Sequence, residues 1–172
     1  ILRDNWAIAF NGIIALGARI EESLTACPHS HRLLDALAKC GQHYSIVQLD
    51  ADKLSVKTAK FRAYIPCVPY ETLQDIKPDP SQVAITDELK RGLAVVNPLI
   101  AETSQQVVTA SALVRAGSCV GTNRHVMLEY WHGLDLPTFA LPKLAINAIV
   151  NCRKPLASFG CSETSATFYF DD

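Results

Sequence analysis

The 172-residue chain is long enough for one domain of ordinary size, or for two of fewer than about a hundred residues each. With 49% hydrophobic and 19% charged residues it is too apolar to be a disordered polar chain, yet no apolar run approaches the roughly 20 residues of a membrane-spanning helix. A formal charge of −1 excludes a protein that is basic all over, while leaving room for one basic face.

The N-terminal I-L-R-D-N-W lacks the basic-then-apolar layout of a signal peptide. It also lacks an initiator methionine, so the chain reads as a piece of a longer one. The six cysteines form no C-x-x-C pair and most stand in apolar runs, which suits free thiols of an intracellular protein.

In chain order, residues 6–10 and 13–20 are apolar runs on either side of Asn11–Gly12, a hairpin signal because both residues tolerate positive φ. Pro28 and Ser30 then suit a helix start and Gly41 its stop. Leu33, Leu34, Leu37 and Ala38 share one face of that helix; Arg32, Asp35 and Lys39 take the other. Tyr44–Leu49, Leu54–Lys57 and Phe61–Cys67 have the spacing of an antiparallel meander. From Val68 to Gln82 the pattern dissolves around Pro69, Pro78 and Pro80, and this stretch serves as the expected domain linker.

Thr86 or Asp87 opens a second helix, with Leu89, Leu93, Val96 and Ile100 on its core face, Arg91 about opposite and Lys90 on the flank. Pro98 is expected to kink or end it. Val107–Val114 reads as a strand and Arg115–Gly117 as a turn. The stretch Ser118–Gly133 reads as a strand, a break at Asn123–Arg124, and a second strand. After Pro137 a further helix carries Leu144, Ala145, Ala148 and Ile149 inward, with Lys143 and Asn147 outward. Strands near Leu156–Phe159 and Ser165–Phe170 follow.

Hairpin, helix and meander therefore occur twice. Asn11 answers Asn123 and Leu16 answers Leu128, each 112 positions on; the helices align at an offset of 111. The second copy has a helix and strand in front of it, residues 86–114, and the first ends on a strand, 61–67, without a later counterpart.

The run G-T-N-R-H-V-M-L (121–128), after a helix and a strand, resembles the A-T-D-G-H-R-L stretch in the middle domain of bacterial DNA polymerase III β sliding clamps. F-A-L-P-K-L-A (139–145) is similar to the I-V-P-R-K segment that follows it there. K-L-S-V-K-T-A-K-F-R-A-Y-I-P (53–66) is similar to the L-x-I-K-S-G-K-F-x-F strand pair closing the first clamp domain.

The resemblance implies an α+β DNA clamp fold of repeated helix-plus-antiparallel-meander units, helices on one side and sheets on the other. Residues 1–80 would be the back of the first clamp domain, with a linker at about 68–82, and 81–172 a nearly complete second domain. It further implies a non-catalytic, cofactor-free accessory subunit of a DNA polymerase, self-associating into a homodimeric ring around duplex DNA in the cytoplasm. Such a ring grips phosphate without reading bases. Arg32, Lys39, Lys90, Arg91 and Lys143, outside the core faces of three helices, are the candidate DNA contacts.

The family's second role is docking short peptides of the polymerase and clamp loader. Its pocket carries over onto Thr122, His125 and Met127, with Arg124 where the family has Gly and Val126 where it has Arg. These departures and the A-I-A-F-N-G-I-I-A-L-G segment suggest a divergent, phage-like clamp.

Three other readings stay open. One is an assembly module of the same fold without DNA binding. Another is a metal site at Cys27, His29 and His31, whose spacing matches no standard zinc motif. The last is a thiol enzyme using Cys27 or Cys119 with His125 or His132. No G-x-S-x-G, H-E-x-x-H or glycine-rich phosphate loop is present. Trp6, Trp131 and Tyr130 are expected to pack at sheet edges rather than to stack bases.

Overall fold

The computed structural model describes residues 1–41, 43–69 and 76–171. The chain divides into two compact units, Ile1–Ile76 and Lys77–Asp172.

In the first unit β1 (Leu2–Arg3), β2 (Trp6–Phe10) and β3 (Ala15–Arg19) form one antiparallel sheet in that order. A second sheet has β4 (Cys27–Pro28), β7 (Arg62–Val68), β6 (Lys53–Lys57) and β5 (Ser45–Asp50) side by side. Leu2 and Ala26 exchange backbone hydrogen bonds of 2.7 and 3.0 Å, tying β1 to the segment that enters β4. Helix α1 (Ser30–Ala38) turns Ala36, Leu33 and Leu37 toward a core of Leu54, Val56 and Ile65.

In the second unit β8 (Val83–Ala84) leads into α2 (Asp87–Val96), a 3-10 turn (Asn97–Leu99) and a short helical turn, α3 (Val107–Ala110). Then come β9 (Ser111–Arg115), β10 (Ser118–Thr122), β11 (Met127–Trp131), β12 (Phe139–Pro142), α4 (Lys143–Asn151), β13 (Leu156–Cys161) and β14 (Ala166–Phe170). The sheets run β11-β10-β9-β12 and β14-β13-β8, all antiparallel.

Helix α2 starts where the sequence places it: the Thr86 side chain accepts from the Glu88 N–H, an N-cap. It stops before Pro98, as a residue lacking the backbone donor requires. Leu89, Leu93, Val96 and Ile100 are all buried, with Ile146 and Ile149 of α4 and Phe159 of β13. Phe159 stacks on Phe139 at 5.3 Å and tilts against Phe168 at 5.2 Å, and its complete burial contributes about 1.5–3 kcal/mol. Two glycines let α2 lie close on the hairpin. A Cβ at Gly92 would sit 2.7 Å from the Tyr130 ring, and one at Gly121 2.9 Å from Val96.

The internal repeat is present in the fold. Strands β2 and β3 correspond in length to β10 and β11 at an offset of 112, and β5 to β13 at 111. The two hairpin turns share one mechanism. Asn11 Oδ1 accepts from the N–H groups of Ile13 and Ile14 at 3.0 and 2.9 Å; Asn123 Oδ1 accepts from those of His125 and Val126 at 3.0 and 2.8 Å. The next residue has positive φ in both, 93° at Gly12 and 75° at Arg124. The first turn is thus a four-residue loop in which only Gly12, not Asn11, is left-handed.

Several expectations are corrected. Val107–Ala110 is helical rather than extended, because the Gln106 carbonyl accepts from the N–H groups of Thr109 and Ala110 and Ser104 bonds the Thr109 hydroxyl. In α4 the inward residues are Ile146 and Ile149, while Leu144 is exposed; the helix begins after Pro142, so the helical offset is 113 rather than 111. Leu34 and Ala38 of α1 face solvent for the same reason of phase. Trp131 is 71% exposed instead of packed, whereas Trp6 lies under Arg19 at 5.4 Å. Of the expected linker, residues 70–75 lie outside the described residues and Val68 belongs to β7.

The end of that linker is fastened within the second unit. Asp79 is buried, its carboxylate accepts from the hydroxyls of Ser165 and Thr167, and its carbonyl accepts from Tyr169. Burial alone would raise the Asp79 pKa; the hydroxyls of Ser165, Ser162 and Thr167 outweigh it and hold the group below the usual carboxylate range.

Candidate functional site

Three of the five candidate DNA-contacting cations lie on α2 and α4, which pack side by side and antiparallel. The direction follows from their ends. Lys143, first in α4, donates to the Asn97 and Ile100 carbonyls beyond α2 at 3.2 and 2.6 Å. Lys90, near the start of α2, donates to the carbonyls of Cys152 and Lys154 beyond α4. Each lysine thus satisfies carbonyls at the other helix's C-terminal end, where a cation also meets the favourable end of the helix dipole. Between them the Asn97 amide donates to Asn147 Oδ1 at 2.9 Å.

Arg91 is exposed and pairs with Glu88, whose second oxygen takes the Tyr130 hydroxyl at 2.9 Å. Arg32 and Lys39 are exposed on and just past α1, and among the described residues neither joins an ion pair. Sequence reasoning passed over Arg153 and Lys154, exposed directly after α4 at the end where Lys90 is bound. The signal available was the dipeptide itself, placed at a helix C-terminus.

Thr122, His125 and Met127 come together at the tip of the β10–β11 hairpin. Thr122 and Met127 form the last cross-strand pair, and His125 is exposed in the turn between them. The Thr122 hydroxyl donates to the Val126 carbonyl at 2.9 Å and accepts from the Arg124 N–H at 3.1 Å, so it is spent on the turn. Met127 is 69% exposed. His125 stands in the turn ahead of β11, with its N–H on Asn123.

The outer face of the same sheet carries an ion pair, Arg115 to Glu129 at 2.6 Å, and the Ser118 hydroxyl also donates to Glu129 at 2.6 Å. That hydroxyl and the guanidinium hold Glu129 below the usual carboxylate range.

Among the described residues no three His, Cys, Asp or Glu side chains converge as a metal-holding group. Burial pushes the Cys119 thiol up to about 11, the opposite of an activated nucleophile. No helix among the described residues is long and apolar enough to cross a membrane.

The duplicated hairpin, helix and meander, with helices laid on antiparallel sheets, is the bacterial DNA-clamp fold. Among solved structures, the chain is similar to the Helicobacter pylori β clamp bound to a DNA ligase peptide, with a TM-score of 0.72 and 18% identity over 95% of this chain and 52% of that one. The same clamp in complex with carprofen gives a TM-score of 0.73 at 18% identity, over 96% and 50%. The DNA polymerase III β subunit from Pseudomonas aeruginosa gives 0.63 at 14%, over 90% and 49%. At these identities the likeness is one of fold, and the chain spans about half the length of these clamps. The sequence matches no protein-family model and no curated protein.

Proposed function

We propose that this chain is part of a DNA sliding clamp, a non-catalytic processivity factor that encircles duplex DNA and tethers a replicative polymerase. Residues 1–80 are the back part of the first clamp domain and 81–172 most of the second. The observation that carries the reading is the repeated unit: two hairpins with the same asparagine-held turn, each leading to a helix and a meander. A ring built from such units holds a polyanion by spaced cations rather than base-edge contacts.

Arg32, Lys39 and Arg91 are the exposed cations for that task, with Lys90 and Lys143 shared between phosphate and backbone. The hairpin tip of Thr122, His125 and Met127 is the docking point for short peptides of the polymerase and clamp loader. A ring by self-association, in the cytoplasm of a bacterial or phage-infected cell, completes the reading.

The test uses the whole protein that carries this chain, loaded on nicked circular DNA and on linear DNA. Retention on the circle with escape from the linear form is expected; equal loss from both overturns encirclement. Replacing Arg32, Lys39 and Arg91 by alanine should shorten retention and flatten its dependence on salt, by roughly one unit of log–log slope for each phosphate no longer neutralised.

The backbone bonds of Lys90 and Lys143 favour a second reading, an assembly module of the same fold without DNA. It predicts normal self-association and no retention on either DNA.

A further inference from the structure

We infer that His132 is an acid-sensitive latch, whose protonation releases the loop of residues 133–138 from the turn between β9 and β10. The inference goes beyond the clamp reading and does not depend on it.

The loop joins the two halves of the second unit and is held to Gly117. The Gly117 carbonyl accepts from the N–H groups of His132 and Gly133 at 2.9 and 3.0 Å, and the Gly117 N–H donates to Leu134 at 2.8 Å. Gly117 and Gly133 both have positive φ, 81° and 73°, so the clasp is built on backbone shapes that other residues adopt at a cost. The fourth bond runs through the imidazole. The Leu134 N–H donates to His132 Nδ1 at 3.1 Å, so Nδ1 carries no proton and the neutral ring has its hydrogen on Nε2.

His132 is only 6% exposed, and among the described residues Nε2 has no hydrogen-bond partner. Protonation must occur at Nδ1. It turns the one acceptor into a donor facing a donor, and it places a charge in a buried setting that the Ser118 backbone answers only in part.

The ionisable groups on the adjoining elements are Arg115 on β9, Cys119 on β10, Glu129 and Tyr130 on β11, Asp87, Glu88, Lys90 and Arg91 on α2, and Asp135 in the loop. Glu88 is engaged by Tyr130 and Arg91, while Arg115 of β9 and Glu129 of β11 are paired with each other. Burial lowers the His132 pKa, and the only opposing influence is the Ser118 backbone. The sign follows. The opened or unfolded chain takes the proton more readily than the closed one, so the latch is fully closed above the ordinary histidine range and loosens as pH falls through and below it. Leu134 and buried Leu136 would come out with the loop.

Amide hydrogen exchange of the whole protein tests this, with protection corrected for intrinsic rate at about pH 7.5 and about pH 5, either side of free histidine. Protection at Gly117, Gly133 and Leu134 should fall toward acid, by up to about tenfold per pH unit below the histidine range, while β13 and β14 keep theirs. In His132→Asn, whose Oδ1 keeps an acceptor near the Nδ1 position, the acid loss should vanish. Unchanged protection in the native protein, or an equal loss in the variant, overturns the latch. If the variant fails to fold, an NMR titration of the native imidazole decides. Amide loss tracking a titration below that of free histidine supports the latch; a titration without amide loss overturns it.

Discussion

Arg124 occupies a backbone conformation that costs an L-residue about 1–2 kcal/mol, at φ 75°. Gly12 fills the matching place in the first unit without that cost. Replacing Arg124 with Gly relieves the strain and adds about 0.5–1 kcal/mol of unfolded-chain entropy, so the net stabilisation should stay below about 1 kcal/mol. Chemical denaturation would measure it; a destabilised variant would mean that the Arg124 side chain has an interaction worth more than the strain. Gly160 makes the opposite case. A Cβ there would stand 2.0 Å from the Pro80 carbonyl oxygen, whereas one at Gly41 meets nothing within 4 Å. Gly160→Ala should cost about 3 kcal/mol, the upper end for overpacking, and Gly41→Ala should leave stability within about 0.5 kcal/mol. Neither environment can be read from a lone glycine in a sequence. Asn11 and Asn123 were legible as equivalents because identical letters recur at one spacing. That their side chains, rather than their own φ values, build the turn was not.

At the scale of elements, α2 was the most legible part of the chain. Its cap, its stop and its three buried apolar residues, Leu89, Leu93 and Val96, are all local signals and all are realised, while Ile100 is buried just beyond the helix. Helices α1 and α4 were legible as helices but only partly in phase: Leu33, Leu37, Ala145 and Ile149 pack inward as read, whereas Leu34 and Leu144 are exposed. From sequence, Lys90 falls on the flank of α2 and Lys143 on the outward face of α4. Their backbone acceptors come from a helix some fifty or sixty residues away in the chain, a pairing no periodicity announces. Lys90→Met and Lys143→Met should each destabilise the second unit by about 1 kcal/mol, the low end for a charged hydrogen bond that is only half-buried. The two losses should add within about 0.5 kcal/mol, because the lysines act at opposite ends of the helix pair. A thermodynamic cycle over the two single variants and the double variant checks both statements. Loss of DNA retention in either variant is interpretable only beside that stability measurement.

For the whole molecule, the duplication was legible from spacing, and the resemblance of its motifs to those of clamps gained its weight from their order and the repeat together. The strands that join halves within a unit were not foreseen: β12 pairs with β9 and β8 with β13, so each half lends a strand to the other. Long-range pairing of this kind depends on the closed fold and leaves no mark in a local pattern. The candidate site was legible only in part. Exposure of Arg32, Lys39 and Arg91 agrees with their phase on the helices, whereas the loop carrying His132 gave no signal beyond a histidine before a glycine.

The fastening of Asp79 by Ser165 and Thr167, beside the pairing of β8 with β13, brings the first and last strands of the second unit together in space. A module whose first and last strands lie in one sheet tolerates being opened elsewhere once a tether runs the length of that sheet between its ends. Residues 77–171 should therefore survive circular permutation, with new termini cut at the exposed Asn123–Val126 turn and the old ones bridged by a glycine-serine tether long enough to run alongside β14. Far-ultraviolet circular dichroism and a cooperative melt would register success. Failure would mean that this tie holds the segment only when its neighbour is attached.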